Sequence, residues 1–497
     1  MTKRFDTGLV WLRRDLRLND HAALSLALER CKRVHCVFVF DRSILDELPR
    51  SDRRVEFIHE SIIHLDAELN LLSGNPAGGL IVLHDFSAKA IPALAAVLCV
   101  QCVFCSRDYE PYATDRDATV QKALHHQGIA MEMVKDHVIF EQREVLTQSG
   151  KPYGVFTPYM KAWLALLHDT PPRQHSCQLL AGALAPRPAL YSHAVPTLEK
   201  LGFSRTNLHS LGIRGGSAAA AKVLDDFWGR IDTYDQTRNF PGIKGPSYLG
   251  VHLRFGTISI RQLVGIAMQR KLAQSTGAAT WLAELIWRDF YFQIVANYPH
   301  VSMRAFKPEY DKIAWQTGAQ ADAQFAAWRQ GLTGYPLVDA AMNQLNQTGY
   351  MHNRLRMVAG SFLVKHLGLD WRRGEAYFAE KLNDFDLSAN NGGWQWVSSS
   401  GCDAQPYFRI FNPVSQSEKF DAEGKFIKRY LPQLSLLDAR SIHAPWNASS
   451  VELASANVIL GHDYPHPIVD HAQARATTLQ RYAVVRKISQ LSTADAQ

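Results

Sequence analysis

The feature that most constrains this chain is a change of hydrophobic period partway along it. Four short apolar runs, at 8–12 (GLVWL), 34–40 (VHCVFVF), 80–83 (LIVL) and 102–105 (CVFC), are separated by segments with helical spacing. Runs that are apolar at consecutive positions suit strands buried on both faces, which predicts a parallel sheet with helices on each side. From residue 217 such runs nearly vanish, and helices are predicted over 217–230, 259–272, 279–297, 322–330, 336–348, 351–367 and 373–382, separated by Gly and Pro turns. The expected fold class is therefore an α/β N-terminal domain with a parallel sheet, followed by an all-helical domain. At 497 residues the chain exceeds the size at which one core usually stops growing. We place the α/β domain at 1–140, a connection at 141–205, the helical domain at 206–480 and a short polar C-terminal segment at 481–497. The stretch from 175 to 205 is rich in Pro, Gly, Ser and His and reads as a surface connection.

Composition excludes several classes. With 46% hydrophobic and 20% charged residues, extended disorder is not expected. The start of the chain lacks a secretory pattern and no 18-residue apolar run follows, so a cytoplasmic protein without a membrane span is expected. Seven cysteines, an odd number, make a disulfide framework unexpected and read as reduced thiols. Cys102 and Cys105 have CxxC spacing, but they lie in a strand and no second pair completes a metal site, so none is expected. The formal charge of +7 favours a polyanionic partner modestly.

Three clusters carry possible chemistry. On a helix, Asn353, Arg356 and Met357 share a face, which suits a pocket and equally suits a capped helix with surface ions and one core methionine. Asp384 and Asp386 lie in a turn-like DFDLS followed by Asn390, Asn391 and two glycines, a binding wall or a solvated Asx-rich loop. Glu284, Trp287, Arg288 and Tyr291 recur at three- and four-residue intervals, so that a base could stack on Trp287 beside the Glu284 carboxylate; an amphipathic packing helix has the same spacing. Gly245, Ser247 and Gly250 permit a phosphate-cradling turn, although neither GxxxxGK[ST] nor GxGxxG is present. Spacing alone does not show that any of Trp315, Trp371, Trp394 and Trp396 touch.

The segments LVWLRRDLRLNDHAAL, RDYEPYATDRD, VFTPYMKAW, TGYPLVDAAMNQL, MHNRLRMVAGSFLVK, DFDLSANNGGWQW and YFRIFNPVSQSEKFD, in this order over more than 400 residues, resemble class I photolyases of the photolyase/cryptochrome family. The resemblance implies an N-terminal antenna domain and a helical domain that binds FAD and damaged DNA. It implies FAD contacts at Tyr234, Ser247, Leu249, Arg356, Asp384, Asp386 and Asn390, with Asn390 beside the reactive flavin nitrogen. Pro246-Ser247 and Gly250 depart from the family's hydroxyl-rich phosphate loop, so backbone N–H groups or water are expected there. Lesion contacts are implied at Glu284, Trp287, Asn353, Met357 and Trp396, and a relay for flavin photoreduction at Trp394, Trp371 and Trp315.

The implied reaction is light-dependent repair of cyclobutane pyrimidine dimers by electron transfer from reduced FAD, in an enzyme acting as a monomer. The antenna is expected to be methenyltetrahydrofolate or, second, a deazaflavin; Glu110 resembles a folate-contact acid, whereas Met303 stands where one folate-type arrangement has lysine. The alternatives are a cryptochrome-like light sensor, disfavoured by the intact lesion set and the absence of a long tail after YPHPIVDH, and a (6-4) photolyase, disfavoured because MHNRLRM supplies Asn353 and Met357.

Overall fold

The computed structural model describes residues 3–485, so the expected polar segment lies outside the described residues from 486 onward. Five strands form one parallel sheet: β1 (Phe5–Leu12), β2 (Cys31–Asp41), β3 (Leu80–Asp85), β4 (Cys102–Ser106) and β5 (Ala130–Val134), in the order β3-β2-β1-β4-β5. β1 is central, with Val10 in register with Cys36 on one side and Phe104 on the other.

Alternate residues of each strand enter different cores, which is why the runs are apolar at every position. Val10, Leu12, Phe38 and Phe104 join one buried cluster with Leu24 and Leu28 of α1 (Ala22–Arg30) and Phe57 and Leu65 of α2 (Arg53–Ser73). Leu9, Trp11, Val39 and Val103 join another with Ile91 and Leu94 of α3 (Ser87–Val97) and Val120 and Leu124 of α4 (Pro111–His126). Each fully buried side chain of this size contributes roughly 1.5–3 kcal/mol. The edge strand β5 was not legible, since AMEMV is only partly buried and has no continuous apolar run. Six of the seven cysteines are buried and all are free thiols.

The segment expected as a surface connection does more than connect. Cys177, Leu198, Leu201 and Phe203 pack into the first cluster, and Ala185 N donates to Val34 O at 2.9 Å. The first unit is completed from further along the chain by α5 (Phe156–Asp169), α6 (Ser217–Trp228), α7 (Ile260–Leu272) and most of α8 (Thr276–Asn297). Asp289 of α8 is buried, and its Oδ2 accepts hydrogen bonds from Ile139 N at 3.0 Å, Phe140 N at 3.3 Å and Trp163 Nε1 at 3.0 Å. This compact unit comprises the chain up to Tyr153 with Thr157–Asp232 and Ser247–Ala296.

The second unit comprises Gly154–Phe156, Thr233–Pro246 and the chain from Asn297. Its regular elements among the described residues are all helical: α9 (Ala319–Gln330), α10 (Pro336–Thr348), α11 (Asn353–Ser361), α12 (Trp371–Lys381), α13 (Leu387–Ser398), α14 (Pro413–Phe420), α15 (Lys425–Tyr430), α16 (Ser450–Ser455) and α17 (His471–Arg481), with shorter turns besides. Trp328, Leu345, Leu355, Phe362, Trp371, Phe378 and Trp394 share its core. The helix predicted over 351–367 ends as a π-helical turn at Phe362–His366, which carries the wholly buried Lys365. Asp339 near the start of α10 accepts from Thr333 N, Gly334 N and Tyr464 Oη, fixing the TGYPLVD motif from inside. No helix among the described residues is long and apolar enough to cross a membrane.

Candidate active site

The Arg356–Asp384 pair is positioned by a chain of local contacts. α10 ends at Gly349, whose φ of +66° suits glycine and where an added Cβ would lie 2.0 Å from Asn383 Oδ1. Asn383 N donates to Gly349 O at 2.8 Å and its Nδ2 to Thr348 O at 2.8 Å, which fixes the residue before Asp384. His352 caps α11 by accepting from Arg354 N, and burial holds its imidazole down at about 4, so it is neutral at pH 7. Arg356 then donates through Nη2 to both Asp384 oxygens at 3.0 Å and through Nε to Met351 O at 2.9 Å. The result is a half-buried, satisfied ion pair rather than two free surface charges.

The DFDLS segment, read as turn-like, enters a helix at Leu387 that continues through Asn390 and Asn391. Asp386 is its N-cap, with Oδ1 accepting from Ser388 N at 3.0 Å and Ala389 N at 3.3 Å, and the following turns are buried on the core side. A strong cap and tertiary packing outweigh the poor helix propensity of Asn and Gly here. Asn390 is buried and its Nδ2 donates to Glu375 O of α12 at 3.1 Å, which turns its carboxamide oxygen the other way. Asn391 Nδ2 donates to Glu375 Oε1 at 3.0 Å and to Val301 O at 2.8 Å.

Trp394, about two turns along the same helix, is buried against Phe378 at a centroid distance of 4.9 Å and Trp328 at 6.1 Å, both edge-on. Gly374 of α12 makes room for it: an added Cβ would lie 2.1 Å from Trp394 Cη2. Trp371 is buried with the Arg372 guanidinium 4.7 Å from its ring, and Trp315 is half-buried and edge-on to Tyr482 at 6.2 Å. All three residues of the expected relay thus belong to the helical unit, and Trp315 is the most exposed of them.

The other expected residues divide between the units. Tyr234 is buried in the helical unit with the Arg238 guanidinium 5.5 Å from its ring, whereas Ser247 and Leu249 belong to the first unit, where Leu249 N donates to Ser247 Oγ at 3.4 Å. Asn353 is exposed on the first turn of α11, while Met357 and Trp396 are half-buried against the helical core. Glu284 and Trp287 are half-buried on α8 in the first unit, with Trp287 5.3 Å from the Tyr291 ring. Arg288, read with them as one face, instead donates to His137 O and lies 4.6 Å from the Phe292 ring, so it braces the first unit. Glu110, the expected antenna contact, follows the carboxyl end of β4 and is held by Arg14 Nη1 at 2.9 Å and Arg254 Nη1 at 2.6 Å. Met303 is 74% exposed.

These residues fit a flavin dinucleotide. A satisfied guanidinium–carboxylate pair, a buried amide with its N–H side committed, and the tight turn at Gly245, where a Cβ would meet Thr237 O at 2.6 Å, supply polar groups and close-approach backbone of the kind such a cofactor uses. Sequence reasoning missed Gly374 and Glu375. A carboxylate on an amphipathic helix reads as solvent-facing, and no local signal shows that Glu375 is buried.

Comparison with known proteins identifies the family. The DNA photolyase family matches residues 8–176, and the FAD binding domain of DNA photolyase matches residues 281–484. The chain is 38% identical over 482 residues to a deoxyribodipyrimidine photo-lyase of Vibrio cholerae, covering 96% of this chain and 99% of the relative. It superposes with a TM-score of 0.86 at 32% identity on a bacterial class III photolyase from Agrobacterium tumefaciens, covering 98% of this chain and 99% of that one. An archaeal photolyase from Sulfolobus tokodaii, described with two FAD molecules, superposes with a TM-score of 0.79 at 31% identity, covering 96% and 99%. The class I expectation is corrected by the Agrobacterium structure, a class III enzyme. The motifs behind that expectation run through both family matches and do not single out one branch. The chain belongs to the DNA photolyase family, enzymes of light-driven, FAD-dependent pyrimidine-dimer repair.

Proposed function

We propose that this chain splits cyclobutane pyrimidine dimers in damaged DNA by light-driven electron transfer. The observation that most supports this reading is the anchored set Arg356, Asp384 and Asn390 on helices that also bury Trp394. Bound and reduced, FAD would supply an excited electron to the dimer and take it back once the C5–C5 and C6–C6 bonds have broken. Arg356, Asp384, Asp386, Asn390 and Tyr234 would hold the cofactor, with Ser247 and Leu249 at its phosphates. The Asn390 oxygen, turned away from Glu375, would face the flavin and favour its reduced or protonated states.

Asn353 and Glu284 would hydrogen-bond the base edges of the lesion, Met357 would fill its apolar edge, and Trp287 and Trp396 would stack on its rings. Flipping costs least for a lesion whose stacking is already disturbed. Trp394, Trp371 and Trp315 would carry electrons inward to regenerate reduced flavin. Glu110, with Arg14 and Arg254, would orient an antenna of the folate type, with a deazaflavin as the second choice. The Sulfolobus enzyme's two FAD molecules make a second flavin the third candidate, and the absorption spectrum separates the three. We take the working enzyme to be a monomer.

The test is loss of thymine dimers from DNA by the reduced holoprotein under light, beside a dark control and a (6-4) substrate. Repair confined to light and to the cyclobutane lesion is expected. Equal loss in darkness, or repair of the (6-4) lesion alone, refutes the proposal.

A further inference from the structure

Glu375 is a buried carboxyl that reaches the candidate flavin helix from the neighbouring α12. It is 9% exposed, its main-chain oxygen accepts from Asn390 Nδ2 at 3.1 Å, and its Oε1 accepts from Asn391 Nδ2 at 3.0 Å. Asn391 is itself held by Gln395, whose Nε2 donates to Asn391 Oδ1 at 3.1 Å and to Val301 O at 2.9 Å. One glutamate therefore fixes two consecutive side chains of α13, one of which is expected at the flavin.

We propose that Glu375 is the positioning residue of the flavin site, and that its proton occupancy is thermodynamically coupled to reduction of the bound flavin. The proposal rests on the FAD reading of the same helices. Burial pushes the carboxyl up to about 7. The charged groups near it are Arg372 and Asp370 of its own segment, and Arg372 is already paired with Asp311 at 2.5 Å and with Asp370 at 3.3 Å. Its hydrogen-bond partners from the packed α13, among the described residues, are the neutral amides of Asn390 and Asn391.

The sign of the coupling follows from charge. A carboxylate at Glu375 opposes electron uptake nearby, so reduction raises its proton affinity, and by reciprocity its ionisation lowers the flavin potential. Where the carboxylate was ionised, electrons delivered by an external reductant such as dithionite are accompanied by a proton taken from solvent onto Glu375, with no bond formed to the flavin.

The experiment is potentiometric titration of the FAD-loaded full chain from about pH 6 to about pH 8. The unmodified protein should show a midpoint that falls more steeply with pH than that of free FAD. Glu375→Gln keeps an acceptor for Asn391 and should lose the excess slope while retaining flavin. Glu375→Ala should lose the excess slope and also shift the midpoint at every pH, because the Asn391 anchor is gone. A merely structural glutamate would lower the unfolding temperature in both variants and leave the slope alone. Equal slopes for the unmodified protein and Glu375→Gln, or an unmodified protein with the slope of free FAD, overturn the proposal. Failure of the unmodified chain to take up FAD overturns the FAD reading, and the proposal with it.

Discussion

Gly374→Ala separates helix propensity from packing at one position. In the interior of α12 an alanine should gain about 1 kcal/mol over glycine. The space opposes it: the new Cβ would lie 2.1 Å from Trp394 Cη2, 2.4 Å from Cζ3 and 2.6 Å from Leu363 Cδ2, whereas ordinary contact begins near 3.4 Å. Leu363 can rotate its methyl away. The Trp394 indole cannot easily follow, because it is 3% exposed and wedged against Phe378 and Trp328. Overpacking of a filled core typically costs about 1–3 kcal/mol, so after the propensity gain the variant should lose up to a net ~2 kcal/mol by denaturant unfolding. Trp394→Phe removes the two closest atoms, so on that background the same alanine should be neutral or stabilising by up to about 1 kcal/mol. The double-mutant cycle should therefore return an interaction of roughly 1–3 kcal/mol. A Gly374→Ala protein more stable than its parent, or a cycle that closes at zero, would show that the close approach does not govern this site.

Trp394→Phe alone should suppress photoreduction of oxidised flavin while the chemically reduced enzyme retains much of its repair; unchanged photoreduction removes Trp394 from the relay. Asp289→Ala leaves three buried donors unpaired, each worth about 1–3 kcal/mol, and should destabilise by at least ~3 kcal/mol in urea unfolding. Lys365 donates to Ser399 Oγ at 2.8 Å and Tyr407 O at 3.0 Å, and burial pulls its ammonium down to about 7 from 10.5. The unfolded chain then binds the extra proton, so stability should rise with pH between these two values by up to about 1.4 kcal/mol per unit. Lys365→Met should flatten that slope, and an unchanged slope would place its source elsewhere.

Much of the architecture could be read from one chain because strands apolar on both faces and helices apolar on one leave different periods. GLVWL announces a doubly covered strand wherever it stands. AMEMV does not, because an edge strand needs burial on neither flank to be paired. At the site, Arg356 and Asp384 were legible as a motif, and their pairing follows from the Asn383 clamp, whose partner lies thirty-odd residues away in sequence. The helical state of Asn390 was not legible, since local propensity argues for a turn and the cap at Asp386 with the buried Trp394 decides otherwise. Glu375 was invisible for a simpler reason: its burial is a property of neighbours contributed by α13 and the Val301 turn, and no spacing within α12 encodes it.

The hub at Asp289 also sets an order of assembly. During synthesis every strand of the sheet emerges well before α8, yet the Ile139 and Phe140 amides and the Trp163 indole must wait for a carboxylate more than a hundred residues downstream. Those three donors therefore lack their native acceptor until the ribosome has moved past α8, and a fragment cut near residue 140 would leave the Ile139 and Phe140 amides without it.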